Sequence, residues 1–174
     1  MINLQLVKPD ESYRDDWLAY LCEWNATGVK MTPYSFDPHQ GDFDLFLAEA
    51  RRSETGIDLP AGKVRAGFFF LVGDTSPRIL GAVSIRYELN DYLRRYGGNI
   101  GYGVRVSERR QGYAKAMLAL ACDHCRRLGM EKVLVTCDTA NTGSARTIQA
   151  NGGILENEVI HDDGTPLQRY WIPL

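Results

Sequence analysis

The chain has 174 residues, of which 20 are basic and 22 acidic, and its net charge is −2 at pH 7. This length favours a single domain, residues 1–174, and the balanced charge excludes a general nucleic-acid binder, whose surface would be basic. No apolar run could span a bilayer and the N-terminus lacks the pattern of a signal peptide, so we expect a cytoplasmic protein without a membrane partner.

In the N-terminal half, hydrophobic periodicity predicts three strands and two helices. A stripe containing Trp17, Leu21 and Trp24 has the spacing of one helix face. The two later strands should pair antiparallel, because the turn between them is too short for a crossover. The predicted elements, in order, are a strand at 2–6, a helix after residue 10, a loop at 27–41, a helix at about 42–52, and strands at 68–72 and 79–89.

The C-terminal half predicts alternating strands and helices. Residues 100–106 alternate with period 2, and Gly101 and Gly103 within them indicate a bulge or a close backbone approach. The other predicted elements are a helix from Ala114 to about Leu128, a strand at 132–137, a helix at 141–151, and strands at 155–160 and 168–172. The predicted fold is therefore α/β, with a mixed, mostly antiparallel sheet of about seven strands and helices on both faces.

Between the strand at 100–106 and the following helix lies the segment Arg109-Arg110-Gln111-Gly112-Tyr113-Ala114. A helix N-terminus offers unpaired backbone N–H groups and a positive dipole end, both of which attract phosphate. Gly112 has no Cβ, so a ligand can approach its backbone closely. Two arginines and the following Lys115 supply positive charge. An ordinary strand–helix connection with solvated arginines is the alternative interpretation.

Arg109-x-x-Gly112-x-Ala114, after a strand and opening a helix, resembles the signature of the GNAT superfamily of acyl-CoA-dependent N-acyltransferases. The resemblance extends to Asn141-x-x-Ser144, which opens the next helix. The closing Arg169-Tyr170-Trp171-Ile172, together with residues 101–114, resembles a bacterial branch of predicted acetyltransferases. The resemblance implies direct acetyl transfer from acetyl-CoA (coenzyme A) to a primary amine of a small molecule or peptide, by a monomer or homodimer without a metal. It also implies a parallel pair of strands, 100–106 and 132–137, splayed apart at the cofactor. A non-catalytic acyl-CoA-binding module is the alternative.

The same resemblance implies the cofactor contacts. The diphosphate would lie on the backbone N–H groups of Gln111 to Ala114, and the pantetheine arm would add to the strand edge at Val104 and Val106. Asn141 would both cap its helix and contact the pantetheine arm or an ordered water. The remaining expected cofactor contacts are Arg109, Arg110, Gly112, Tyr113, Lys115, Ser144 and Arg146.

Catalysis requires two proton transfers, one from the acceptor amine and one to the leaving thiolate. Deprotonating an alkylamine at pH 7 costs about 4–5 kcal/mol, whereas releasing a thiolate costs about 2 kcal/mol. The family's usual tyrosine acid is replaced here by Ile148, and its strand-start carboxylate by Gly98 and Asn99. We predict Glu88 as the base, with Asp91 and Asp138 as alternatives. Tyr102 and Asn141 complete the predicted catalytic set, although Tyr102 is equally typical of a sheet face.

Cys122-x-x-Cys125 invites a metal or redox interpretation, but both cysteines lie on the apolar stripe of the helix from Ala114. No second cysteine pair has the spacing of a zinc site. We therefore predict buried, structural thiols and no metal centre.

Overall fold

The structure is a computed structural model that describes residues 3–36, 41–74 and 76–174. Part of the predicted loop at 27–41 and the first residue of the first predicted strand lie outside the described residues. The helices and strands are β1 Leu4–Val7, α1 Arg14–Asn25, α2 Phe43–Thr55, β2 Ala66–Gly73, β3 Ser76–Arg86, β4 Ile100–Val104, α3 Tyr113–Arg127, β5 Lys132–Asp138, α4 Thr142–Gln149, β6 Ile154–Ile160 and β7 Pro166–Pro173.

The described strands form two sheets. One has four strands in the order β1-β2-β3-β4, and the other has three in the order β5-β7-β6; every pairing within them is antiparallel. The predicted mixed fold is confirmed. The two strands predicted to be parallel, β4 and β5, belong to different sheets, so the chain has a cleft where a continuous sheet would have a hydrogen-bonded pair.

Two apolar cores cover the two faces of the four-stranded sheet. On one face, α1 and α2 pack aromatic side chains, including Trp17 and Phe46, against β2. On the other face, α3 packs against β1, β3 and β4, and Cys122 and Cys125 are buried there. Burial raises the pKa of Cys122 to about 11 and of Cys125 to about 12, so both remain protonated thiols at neutral pH. This agrees with the prediction of structural cysteines.

Asn99 joins the two sheets at the closed end of the cleft. Its backbone N–H donates to Leu134 O at 2.6 Å, and its side-chain Oδ1 accepts from Leu134 N at 2.8 Å. On the other side, its Nδ2 donates to Arg86 O at 3.0 Å and its backbone carbonyl accepts from Arg86 N at 2.7 Å. One residue therefore connects β3 to β5, and the sheets diverge from that point.

The strand predicted at 100–106 ends two residues early, at Val104. Arg105 is drawn towards α1, and Val106–Glu108 forms a 3₁₀ turn. This turn redirects the chain to the start of α3. It also removes Val106 from the strand edge on which the sequence placed it.

Candidate active site

A cleft of about 760 Å³ opens between the diverging strands β4 and β5. This is within the usual range for small-molecule sites. Its walls come from β4, the start of α3, the end of β5, the start of α4 and the segment after α1. The lining residues that sequence analysis singled out are Gly101, Tyr102, Gly103, Val104, Arg109, Arg110, Gly112, Tyr113, Ala114, Lys115, Asp138, Asn141 and Ser144.

The edge of β4 that faces the cleft carries backbone groups free to pair with a ligand. Arg105 N donates to Leu80 O at 2.9 Å and the Asn99 carbonyl accepts from Arg86 N at 2.7 Å, so these alternate residues point towards β3. Backbone groups alternate in direction along a strand, which turns those of Tyr102 and Val104 towards the cleft. An extended amide-containing chain could pair there, as predicted for the pantetheine arm.

The start of α3 forms the basic end of the cleft. Gly112 has φ 85°, a left-handed conformation that favours glycine, and within the described residues no side chain caps the helix at this position. A Cβ at Gly112 would meet no atom within 4 Å, so the space over this backbone is open. Arg109, Arg110 and Lys115 line the same end. Uncapped N–H groups beside three cations fit the diphosphate of coenzyme A.

The segment after α1 closes over β4. A Cβ at Gly103 would overlap the carbonyl oxygen of Thr32, which explains a glycine inside this strand. Trp24, Lys30 and Thr32 line the cleft from this side. The Arg109 guanidinium lies 4.8 Å from the centre of the Trp24 ring, which fixes one of the basic residues against α1. The close backbone approach predicted from the glycines is confirmed.

A pair of hydroxyl groups crosses the cleft. Tyr102 Oη on β4 lies 2.9 Å from Ser144 Oγ on α4. Burial raises the pKa of Tyr102 to about 12, so this phenol holds its proton at neutral pH. Asn141 caps α4 by accepting from Ser144 N at 3.0 Å, which sets the position of Ser144. The cleft therefore contains a proton donor that does not come from the family's usual position.

Ile148 occupies that usual position and belongs to the core. Its side chain is fully buried beneath α4, and a Cβ at Gly153 would overlap it. The cleft at this point is lined instead by Ser144 and Thr147, which precede Ile148 on the same helix. Residue 148 therefore faces the core and not the cleft, and the acid of this site has to come from another position.

Four predicted site residues do not line the cleft. Val106 packs against the core under α1 and α2, and Gln111 Nε2 donates to Glu108 at 3.0 Å. Arg146 is exposed on α4. Glu88 is also exposed, beyond the end of β3, and its Oε1 accepts from Arg65 N at 3.5 Å. These positions give no support to the roles expected for Val106, Arg146 and Glu88, whereas the role expected for Gln111 concerned its backbone N–H and stays a prediction.

Arg105 is a structural determinant of the site that the sequence did not indicate. It is 2% exposed, and it donates to both oxygens of Asp16 at 2.9 Å and to Glu23 at 2.6 Å. Burial alone would lower the pKa of Arg105, but the Glu23 and Asp16 carboxylates outweigh it and the net shift is upward. This ion-pair network ties the end of β4 to α1 and fixes where the turn into α3 begins.

Among the described residues, two carboxylates line the cleft, those of Glu108 and Asp138. Glu108 Oε1 forms an ion pair with Arg78 Nε at 3.0 Å. Asp138, at the end of β5, accepts from Ala140 N through Oδ1 at 2.8 Å, and its second oxygen has no hydrogen-bond partner among the described residues. Asp138 is therefore the lining carboxylate with acceptor capacity to spare.

Within residues 3–36, 41–74 and 76–174, no group of three or more His, Cys, Asp or Glu side chains could hold a metal ion. Over the same residues, no helix has both the length and the apolar character needed to cross a membrane.

A family model described as an acetyltransferase (GNAT) domain matches residues 3–154. No curated protein matches the sequence at a significant level. Among solved structures, the chain is similar to the microcin C7 self-immunity acetyltransferase MccE in complex with acetyl-CoA and AMP, with TM-score 0.73, 16% identity, and coverage of 98% of this chain and 92% of that one.

Two further solved structures share the fold. The ribosomal L7/L12 α-N-protein acetyltransferase RimL in complex with coenzyme A has TM-score 0.73 and 16% identity, covering 100% of this chain and 98% of that one. The spermidine/spermine N-acetyltransferase SpeG from Vibrio cholerae has TM-score 0.66 and 13% identity, covering 98% of this chain and 93% of that one. The names of RimL and SpeG give different acceptors, a ribosomal protein and a polyamine, so the shared fold does not indicate a common second substrate.

Proposed function

The chain belongs to the GNAT acetyltransferases, which use acetyl-CoA, and on that premise we propose that it transfers an acetyl group directly to a primary amine of a small molecule or peptide. The observation that carries the proposal is the cleft between β4 and β5. It combines an open strand edge at Tyr102 and Val104 with the uncapped, basic start of α3. These two features suit the pantetheine arm and the diphosphate respectively.

The reaction requires a donor for the leaving thiolate, and the Tyr102–Ser144 hydroxyl pair supports that role. The phenol is protonated at neutral pH and its oxygen lies 2.9 Å from Ser144 Oγ, so a proton lost by Tyr102 can be replaced through Ser144. Asn141 acts through Ser144 by capping α4. We assign Tyr102 as the acid and Asn141 as a positioning residue.

The acceptor amine is protonated at neutral pH, and the base must remove a proton from it. Of the carboxylates considered from the sequence, Asp138 alone lines the cleft. It lies on β5, opposite the edge of β4 that would hold the pantetheine arm. Asp138 therefore replaces Glu88 in our assignment, acting directly or through a water molecule.

The test is coenzyme A release by the purified protein over a panel of small amines and peptides, with mass spectrometry of the products. We expect the products to carry the added mass of an acetyl group on an amine nitrogen.

A second candidate function is a non-catalytic acyl-CoA-binding module. Two observations favour it: Ile148 lies in the core, and Gly98 and Asn99 supply no carboxylate. Binding of acetyl-CoA without release over the whole panel would support that candidate and contradict the first.

A further inference from the structure

Arg86, at the end of β3, is a cation without an acidic partner. Its Nη1 donates to the carbonyls of Gly97 at 3.2 Å and Gly98 at 3.3 Å, and no carboxylate contacts it among the described residues. Burial lowers the pKa of its guanidinium, and the phenol of Tyr92 opposes that shift only partly. By contrast, Arg78 on β3 and Arg105 just after β4 both have carboxylate partners. Arg86 is partly buried, so its guanidinium loses some of its hydration without gaining an anion, and an external anion would offset that loss.

Ser84 stands beside Arg86 on the same face of β3. It is 1% exposed, and its Oγ has no hydrogen-bond partner in the described parts of the chain. Buried hydroxyl groups are nearly always hydrogen-bonded, either to protein, to a ligand or to an ordered water. Ser84 therefore lacks a hydrogen-bond partner, and the Arg86 guanidinium beside it has carbonyl partners but no anion.

Both side chains approach the glycine that lines the cleft. A Cβ at Gly101 would lie 3.5 Å from Ser84 Oγ, 3.6 Å from Arg86 Nη1 and 3.6 Å from Pro33 Cβ. Gly101 pairs with Ser84 across the β3–β4 ladder and is part of the cleft lining. The missing side chain at residue 101 leaves a gap bounded by a hydroxyl, a guanidinium and a proline ring.

This gap lies on the side of the sheet away from the expected cofactor. Side chains alternate across a strand, so Ser84, Arg86 and Gly101 face α1 and α2, whereas Tyr102 reaches Ser144 on α4. An anion bound beside Arg86 would therefore approach from the α1–α2 side. Because coenzyme A is expected on the other side, the anion would have to be part of the acceptor.

We propose that Arg86, assisted by Ser84, binds a carboxylate carried by the acceptor, so that the acceptors are amines that also bear a carboxylate, such as amino acids or acidic peptides. The planar guanidinium fork matches a carboxylate in two-point hydrogen bonding. This substrate class rests on the proposed acetyl transfer, but the carboxylate site itself can be measured without turnover.

The first experiment compares carboxylate-bearing amines with their carboxamides, which are matched in size. Wild-type protein should show a kcat/KM about tenfold or more higher for the carboxylates. Arg86→Met should abolish that preference while leaving the Kd of acetyl-CoA unchanged, and Arg86→Lys should retain part of it. Arg51→Met, which removes an exposed arginine of α2, is the control and should keep the wild-type preference.

The second experiment uses calorimetry of N-acetylglycine and of its amide with the coenzyme A-saturated protein. We expect N-acetylglycine to bind wild type and to lose about tenfold or more in affinity in Arg86→Met, with an unchanged thermal melt as the folding control. If the Met variant does not fold, the same comparison is made with Arg86→Lys.

The outcomes separate this proposal from the proposed function. Equal turnover of carboxylates and carboxamides, or equal binding of the two probes, would overturn the carboxylate site while leaving acetyl transfer intact. Arg86-dependent binding of N-acetylglycine without turnover of any amine would support the site and contradict the transferase. A preference for phosphate-bearing amines over carboxylates would overturn the assignment of the anion.

Discussion

Asn99 and Leu134 are joined by two hydrogen bonds, of 2.6 and 2.8 Å, at the point from which β4 and β5 diverge. Asn99 is 3% exposed and also bonds both backbone groups of Arg86. It stands where related enzymes were expected to carry a carboxylate. Here the position serves the architecture of the cleft, because the amide can both donate to β3 and accept from β5.

Asn99→Ala should lower the free energy of unfolding by about 2–3 kcal/mol, since Leu134 N and Arg86 O would each lose a buried partner. Urea denaturation followed by circular dichroism measures it. Asn25→Ala, at an exposed position near the end of α1, is the matched control and should change stability little. A loss no larger than the control's would show that Asn99 does not hold the two sheets together.

Gly112→Glu should reduce acetyl-CoA affinity about 100-fold or more, because it places a carboxylate at the uncapped, basic helix start. Gly112→Ala imposes the same unfavourable φ of 85° without the charge, and its Cβ would meet no atom within 4 Å. The alanine variant should therefore bind far better than the glutamate variant. Calorimetry measures the acetyl-CoA affinity of both variants. Similar affinities would show that the diphosphate does not bind at this end of the cleft.

Tyr102→Phe should lower kcat by at most about 30-fold, the equivalent of the roughly 2 kcal/mol needed to release a thiolate at pH 7. Acetyl-CoA affinity should be nearly unchanged. The pKa of Tyr102 is raised to about 12, so the wild-type rate should not lose activity through this group between about pH 6 and 9. Tyr87→Phe is the control, because that phenol bonds Glu54 away from the cleft. A far larger loss of kcat would mean that Tyr102 does more than protonate the thiolate.

Asp138→Asn should lower kcat about 100-fold, whereas Glu88→Gln should leave it close to wild type. The reason is position, since Asp138 lines the cleft and Glu88 does not. Steady-state kinetics on one acceptor, with acetyl-CoA saturating, measures both variants. The reverse result would restore Glu88 as the base and require the segment after β3 to move towards the cleft.

Arg105→Met should lower the free energy of unfolding by about 2–4 kcal/mol, because it strands the carboxylates of Asp16 and Glu23 at a partly buried site. Arg14→Met removes an arginine that pairs with carboxylates in an exposed position, and should cost much less. Chemical denaturation at pH 7 compares the two variants. Equal losses would show that the buried network contributes no more than a surface ion pair.

The same network should make stability depend on pH. Burial would raise the pKa of Glu23, but hydrogen bonds from Arg105 and Ser107 outweigh it and lower that pKa below its ordinary value of 4.5. A carboxyl group whose pKa is lower in the folded state stabilises the fold fully above its unfolded pKa, and this contribution disappears as pH falls through the folded value. Wild type should therefore lose stability below about pH 4.5, and this slope should be shallower in Arg105→Met.

Local patterns in the sequence were sufficient for the elements and for the basic end of the cleft. The period-2 alternation around Tyr102 and the helical spacing after Ala114 depend only on neighbouring residues, as does the capping role of Asn141. The close backbone approach at Gly103 could be predicted for the same reason, because a glycine inside a strand is visible in the sequence itself. Which segment makes that approach, the one at Thr32, was not encoded locally.

Only the tertiary structure decided the partners of the polar side chains. Arg105 bonds Asp16, 89 residues earlier, and Asn99 bonds Leu134, 35 residues later. Periodicity shows which face of an element is apolar, but it carries no information on which distant element packs there. For the same reason the sequence placed Glu88 in the site and overlooked Arg86, which lies two residues earlier at the end of β3. The partial burial of Arg86 and its bonds to the carbonyls of Gly97 and Gly98 arise only when the chain has folded.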